Sequence, residues 1–518
     1  MIKLTKFYTK VFVKTPIFIL FLLFNMYILI FQLNALNSSI LEYISVICFA
    51  IIASNLFFLV STSSITSKKS EIMEFLEANE FKRYLVIILS GLIISVATSI
   101  IPIIMILVFK NSSIEPFFVF KGILNFFIIW NLSNMVSILI GASIGVLLKR
   151  WISILISLVI YSFFPFYLFN PLFESKVLSK FLNIYSDSTT IQENILCDEI
   201  FNMSYFFDKA FIMCLILLMI ILVKILLDEN KKILFSIIFI SIVLLMGITI
   251  FVGSNSVTYI HKYDNSQLSD INYHIKSYEM DLNIENKLKN SVSFQLDMDN
   301  NIEPITLLLD NLFKIEEIKI DNEPVNFIHE DDKIVLEYKA NEKKSINISI
   351  SYEGYIHIEN NLGVDTFYCS NDALNLTNCL HWYPSLYDNS PINYNINLNT
   401  SSKIYSNLDI VSQSNNLLSN EYKLNGIAPE VDLFAGQYKS VVDSGVEYII
   451  PSTYDDKTFK QKLEEDISSN LERYNKKLSQ EDFNTLKYKK YKKVIIGMKV
   501  NTNTNIKLSN NVLLISYN

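Results

Sequence analysis

The chain has 518 residues, 51% of them hydrophobic, with a formal net charge of −7 and a mean hydropathy of +0.32. Binding to nucleic acid needs a basic footprint, and this acidic balance excludes that class. The average also conceals two unlike halves, because seven long apolar runs precede residue 253 and none follows it. Heavy use of Ile, Asn and Lys, with 12 Gly and 11 Pro, reads as the coding of an AT-rich bacterial genome.

The apolar runs cover 16–36, 42–62, 84–108, 124–147, 152–170, 210–228 and 233–252. Stretches of about 20 residues with almost no charge match the hydrocarbon core of a bilayer. An ionisable residue at bilayer depth costs roughly 2.5–3.5 kcal/mol on insertion scales. The first run is too long for a signal-peptide core and lacks a small-residue cleavage site, so it reads as retained. Lys3, Lys6, Lys10, Lys14, Lys68, Lys69, Lys82, Arg83, Lys149, Arg150, Lys224, Lys231 and Lys232 fall in alternate loops, against Lys110, Lys176, Lys180 and Lys209 in the others. Positive residues favour the cytoplasmic side. The expectation is a multi-pass plasma-membrane protein with a cytoplasmic N-terminus, seven spans and residues 253–518 extracellular. Trp151, beside Arg150, suits an interfacial anchor.

The loop from Ser63 to Tyr84 carries apolar residues at 72, 75, 76 and 81 and acids at 71, 74, 77 and 80. That spacing predicts a short amphipathic helix. It reads either as a helix lying on lipid or as one that docks on a cytoplasmic ATPase through Glu71, Glu74, Phe75, Glu77 and Phe81. Acids beside an anionic leaflet favour the second reading. The fourth run holds Asn125, Asn131, Ser133, Asn134 and Ser137, then Gly141 and Gly145 four apart. Small residues admit close helix approach and amides bond across helices, so this run reads as a packing seam. A substrate-path lining is the other reading. No charge lies deep in a span, which argues against ion coupling through a buried carboxylate.

A basic N-terminal stretch, an apolar hairpin, an acidic loop ending Phe81-Lys-Arg-Tyr84 and four further spans together resemble the type-2 ABC exporter permeases over residues 1–228. The resemblance implies a homodimer or heterodimer of permeases. It also implies ATP hydrolysis by a separate ATPase subunit, in keeping with the lack of a phosphate-binding loop here.

Beyond residue 253, apolar and polar residues alternate at 279–297, 315–320, 334–338, 346–352 and 393–398, between Asn- and Asp-rich turns. This predicts antiparallel strands buried on one face, in a sandwich or saddle. Phe459, Leu463, Ile467, Leu471 and Tyr474 predict a helix. Cys48 and Cys214 lie in apolar runs and read as packing residues. Cys369 and Cys379 are a possible disulfide if this half is extracellular, with Cys197 left over.

Ile318-Lys-Ile-Asp-Asn-Glu-Pro-Val325, Ser349-Ile-Ser-Tyr-Glu-Gly-Tyr355, His381-Trp-Tyr-Pro384 with Asp388, and Leu433-Phe-Ala-Gly-Gln-Tyr438 follow one another in order. This series resembles the N-terminal β-domain of the aminopeptidase N family of zinc metallopeptidases. With the membrane domain that the apolar runs predict at 1–252, the resemblance implies a β-domain at 253–440 and, at 441–518, the incomplete start of an α/β catalytic domain. Val494-Ile-Ile-Gly497 and Val512-Leu-Leu-Ile-Ser516 look like its first strands. Fusions of such a peptidase to a type-2 permease make the two resemblances compatible.

Zinc chemistry in that family needs two His one helical turn apart, with a Glu that activates water. His329-Glu-Asp-Asp-Lys333 lacks the second His, and histidines 261, 274, 329, 357 and 381 show no metal spacing. The family's Gly-x-Met-Glu-Asn segment is absent too, with residues 501–511 in roughly its place. The sequence therefore offers no catalytic, metal or cofactor-binding residue, and zinc is not expected. Lys487–Lys493 reads as a solvated strand edge or as a contact for anionic lipid or a wall polymer. Trp382 reads as a core aromatic.

The leading expectation is thus a permease subunit of an ABC-type exporter that carries a catalytically silent outer domain able to bind an extracellular peptide. The alternative is a truncated or split membrane-anchored zinc aminopeptidase. A third reading is an extracellular peptide sensor or immunity protein.

Overall fold

The computed structural model describes residues 2–33, 47–68, 80–109, 116–148, 150–169, 184–185, 196, 201, 203–227, 232–255, 258–259, 273–285, 287–298, 304–338, 345–359, 365–386, 390–415, 419–452, 454, 459–460, 463, 491–500, 506–509 and 511–516. Two units emerge: Met1–Gln192 with Ile200–Val257, and Glu193–Glu199 with Thr258–Asn518.

The described residues of the first unit form eight helices: α1 (Ile2–Val13), α2 (Pro16–Phe31), α3 (Cys48–Ser67), α4 (Glu80–Phe109), α5 (Pro116–Leu147), α6 (Arg150–Phe169), α7 (Met203–Leu227) and α8 (Lys232–Asn255). Seven spans were expected. Five helices are long and apolar enough to cross a membrane: α3, α4, α5, α7 and α8. The pair α1–α2 makes a sixth if counted as one span, but it is bent by 65°. Pro16 causes that bend. It holds Thr15 in extended backbone (φ −71°, ψ 136°) and then suits the first turn of α2. The fifth run appears as a shorter apolar helix over Trp151–Pro165.

Helices α3 and α5 form the buried centre of this unit, and their contact faces are small and polar. Ser54, Ser61, Thr62 and Ser63 are buried on α3, as are Ser133, Asn134 and Ser137 on α5. A Cβ at Gly141 would collide with the Leu59 carbonyl and the Thr62 hydroxyl, so only glycine allows this approach. Many exposed side chains on these helices are apolar, among them Leu20, Leu23, Val108, Leu155 and Ile233.

The second unit contains four sheets. The largest has eight strands in the order β15 (Asp409–Asn415), β16 (Asn420–Ala428), β13 (Ile392–Thr400), β2 (Tyr273–Ile284), β3 (Leu288–Met298), β9 (Ser345–Gly354), β5 (Phe313–Ile320) and β6 (Glu323–Pro324). Every pairing is antiparallel except β13 with β2. Burial alternates strictly along β13, as the sequence pattern requires for a sheet covered on one face. The expected alternation at 279–297 is an antiparallel pair, β2 with β3, in which Ile284 faces Leu288.

A six-stranded sheet runs β1 (Thr258–Tyr259), β10 (His357–Glu359), β11 (Asp365–Cys369), β12 (Leu374–Leu376), β17 (Leu433–Ala435) and β14 (Tyr405–Ser406). A small sheet joins β4 (Ile305–Leu308), β8 (Lys333–Leu336) and β7 (Phe327–Glu330). The last sheet runs β18 (Tyr438–Asp443), β19 (Val446–Pro451), β20 (Lys493–Gly497), β22 (Val512–Ser516) and β21 (Ile506–Ser509). Its centre, β19–β20–β22, is parallel, and β20 and β22 are buried at every position. Parallel strands covered on both faces read as continuous apolar runs, which is why Val494–Ile496 and Val512–Ile515 stood out. Here β18 and β19 precede those two strands in the same sheet, so the sheet begins before residue 441.

Candidate functional site

The segment that carries the most specific resemblance, His381–Pro384, is held through its backbone. Asp310 N–H donates to the His381 carbonyl (2.9 Å). The Tyr352 hydroxyl donates to the Trp382 carbonyl (2.9 Å) and the Tyr278 hydroxyl to the Pro384 carbonyl (2.7 Å). Val431 N–H donates to the Tyr383 hydroxyl (3.2 Å). Tyr278 and Tyr394 stack with ring centroids 5.2 Å apart, and Trp382 lies edge-on to Tyr383 at 4.7 Å. Burial raises the Tyr278 and Tyr383 pKa values well above 10 and lowers that of His381 to about 4, so His381 is neutral at physiological pH. Trp382 is fully enclosed and works as a core aromatic.

A second cluster seats the last sheet on the β-domain. Lys507, on β21, places Nζ 2.6 Å from Glu430 Oε1 and 3.0 Å from Asp432 Oδ1. Asn407 donates to the Glu430 carbonyl (2.8 Å) and to Ser509 Oγ (3.0 Å), and its Oδ1 accepts from Asp432 N–H (2.9 Å). Lys493 donates to the Ser406 carbonyl (2.9 Å). Asn375 Oδ1 accepts from Met498 N–H (3.2 Å), and Thr377 donates to the Lys499 carbonyl (3.1 Å). Burial pushes the Asp432 pKa up to about 6, although Lys507 pulls the other way. Asp432 and Glu430 hold Lys507 above its ordinary value despite its own burial. One buried cation thus faces two acids, an arrangement suited to fixing strands rather than to moving protons. Sequence reasoning missed this cluster. Its signal was Glu430-x-Asp432 together with a lysine inside an apolar strand.

His357 Nε2 lies 2.6 Å from Asp365 Oδ1, joining β10 to β11 in the interior. His329 Nε2 contacts the Leu309 carbonyl at 3.0 Å, next to a turn between β7 and β8. Among the described residues no group of three His, Cys, Asp or Glu is placed to hold a metal ion. The described residues therefore do not fit the zinc centre of the family that the sequence resembles.

Of the expected helix-packing residues, Asn134 accepts from Ser54 Oγ (3.0 Å) and donates to Ser95 Oγ (2.9 Å). Ser95 in turn donates to Asn131 Oδ1 (2.8 Å), so one chain of bonds joins α3, α4 and α5. Gly141 and Gly145 both face α3. Of the expected ATPase-docking loop, Glu71, Glu74, Phe75 and Glu77 lie outside the described residues. Phe81 lies in the first turn of α4, where it stacks on Tyr84 and lies under Lys224 Nζ. Cys369 is buried on β11 and Cys379 is half-buried, and no disulfide joins these two described residues. Of the expected helix, Phe459 and Leu463 are helical and buried, whereas Ile467, Leu471 and Tyr474, like Cys197 and Asp388, lie outside the described residues.

No protein-family model matches the chain, and no curated protein matches it in sequence. Solved structures do show likeness. An M1 zinc metallopeptidase mutant from Deinococcus radiodurans is 10% identical (TM-score 0.35), over 48% of this chain and 62% of that one. Aminopeptidase A of Legionella pneumophila, in complex with aspartic acid, is 11% identical (TM-score 0.36), over 48% and 31%. A yeast leukotriene A4 hydrolase in complex with bestatin is 12% identical (TM-score 0.33), over 49% and 42%. The chain thus spans less than two thirds of each of these proteins. The neighbours are peptidases and a hydrolase, and this overturns the leading expectation of an ABC-type permease subunit. The layout of spans and loops had suggested it, and layout alone is shared by many membrane proteins.

Proposed function

We propose that the chain is a membrane-anchored, aminopeptidase-like protein. Its helices hold the anchor, and its outer unit supplies the β-domain and the first strands of a peptidase-type domain. A continuation of the chain or a companion chain would supply the metal-binding residues. The observation that carries this reading is the seating of a parallel sheet, doubly buried along β20 and β22, on a β-domain through Glu430 and Asp432, directly before the Leu433–Tyr438 segment that resembles the aminopeptidase N family. Glu430 and Asp432, leading into Leu433–Tyr438, grip Lys507 at that seat, while His381–Pro384 braces the interior of the β-domain.

Membrane sidedness follows from connectivity in the same reading. Glu193–Glu199 belongs to the same unit as Thr258–Asn518, and α7 and α8 lie between them. Two crossings return the chain to the side it left. With the lysine-rich loops on the cytoplasmic side, that side is the exterior.

The test is a pull-down of the tagged full chain from its own membranes, with an aminoacyl-coumarin assay on the eluate and mass spectrometry of every co-purifying polypeptide. The expected outcome is chelator-sensitive aminopeptidase activity together with a polypeptide bearing His-Glu-x-x-His. An eluate with neither overturns the proposal.

A further inference from the structure

Helix α1 has one face fastened to the protein and another left bare. Thr5, Tyr8 and Phe12, three and four residues apart, form the buried seam. Ser90 Oγ donates to the Thr5 carbonyl (3.2 Å) and Arg83 Nε to the Tyr8 hydroxyl (3.1 Å), which ties this seam to α4. The same guanidinium donates to the carbonyls of Ile65 (3.1 Å) and Lys68 (2.6 Å), so it also closes the end of α3. On the opposite face Lys3, Lys6, Lys10 and Lys14 recur every three or four residues, all exposed. None of the four makes an ion pair among the described residues. Exposed apolar side chains border the lysines: Ile2 (87% exposed), Phe7 (52%) and Val13 (45%).

We propose that this lysine stripe is a binding surface for anionic phospholipid headgroups. The 65° bend carries α1 away from the axis of α2, toward the plane of the bilayer surface when α2 crosses it. A helix in that plane places its apolar borders at the acyl boundary and extends its ammonium groups to the phosphates. Neither bulk water nor hydrocarbon suits such a mixed face, whereas the headgroup layer suits both parts. The occupant is anionic because four unpaired cations stand on one narrow arc. The acids of the loop after α3, Glu71, Glu74 and Glu77, are the competing occupant that the experiment must separate.

The experiment places the purified full chain in nanodiscs of equal phosphatidylcholine and phosphatidylglycerol and counts retained lipids by native mass spectrometry. Each lysine near an anionic surface adds roughly fivefold in affinity. The wild-type chain is expected to retain phosphatidylglycerol preferentially, and a Lys3→Gln, Lys6→Gln, Lys10→Gln, Lys14→Gln variant to lose at least tenfold of that preference. A Lys3→Gln, Lys6→Gln double variant gives an intermediate loss and serves if the fourfold variant does not fold. Equal retention by the wild type and both variants overturns the proposal. So does displacement of the lipid by millimolar inorganic phosphate, which marks a free-anion site. Preference that emerges only after Glu71, Glu74 and Glu77 become Gln also overturns it, because the stripe is then covered by the chain's own acids.

Discussion

Lys507 and Asp432 meet at 3.0 Å in the interior, with the Asp432 side chain fully enclosed and that of Lys507 only 10% exposed. Removing one partner of a buried pair leaves an uncompensated charge and costs about 3–5 kcal/mol. Lys507→Met is therefore expected to release β21 and β22 first. Hydrogen exchange over 506–516 should rise in the variant while exchange over β2 and β3 stays slow. Unchanged protection at 506–516 would show that the cluster does not fix the sheet.

The same cluster sets a pH dependence. A carboxyl whose folded pKa, about 6 for Asp432, lies above its unfolded value binds more protons in the native state. Its contribution is fully present below about pH 4 and is lost as pH rises through about 6. The melting temperature of the second unit, followed from pH 7 down to pH 5, should gain more in the wild type than in Asp432→Asn. Parallel curves for the two proteins would remove Asp432 from the account.

His381 acts with the opposite sign. Burial lowers its folded pKa to about 4, against 6.5 for the free side chain. Its contribution is present above pH 6.5 and is lost as pH falls toward 4. The imidazole resonances of His381 in the folded protein should therefore show no titration between pH 8 and pH 5. A midpoint near 6.5 would mean that the strut is open to solvent.

Close approach of α3 and α5 predicts a contrast between two glycines. Gly141→Ala forces a methyl group into the Leu59 carbonyl and is expected to cost about 1–3 kcal/mol, as overpacking does. Gly247→Ala on α8 meets nothing within 4 Å and is expected to be neutral or stabilising. Thermal denaturation in detergent separates them, and equal midpoints would contradict the packing. Asn134→Ala removes bonds to both Ser54 and Ser95 and should cost about 0.6–1.7 kcal/mol in the same assay.

Much of the fold was legible because its causes are local. Charge-free runs announce helices, and alternation along Ile346–Tyr352 or Asn393–Leu398 announces strands covered on one face. The bend before α2 was also written in the sequence, as Thr15-Pro16, but hydropathy averages over it. What stayed hidden depends on long-range pairing. Nothing local links Lys507 to Glu430 and Asp432, or brings Asn407 to Ser509. Gly141 and Gly145 suggested close packing, yet the partner helix could not be named from spacing. The layout of spans misled about function, since it records how a chain crosses lipid and not what it does there.

Leu196 offers a last consequence. Its carbonyl accepts from Gln437 N–H at 3.4 Å and sits where a Cβ at Gly436 would be, and its side chain joins the core beside Tyr368 and Phe434. Leu196 leaves the ribosome before α7 and α8 do, and the residues that receive it come only after all the helices are made. During synthesis this piece of the second unit waits unburied until Phe434–Gln437 arrive. Assembly of that unit is therefore a closing of the chain on its own earlier product, and any delay in making residues 433–438 leaves an apolar side chain open to capture by chaperones or proteases.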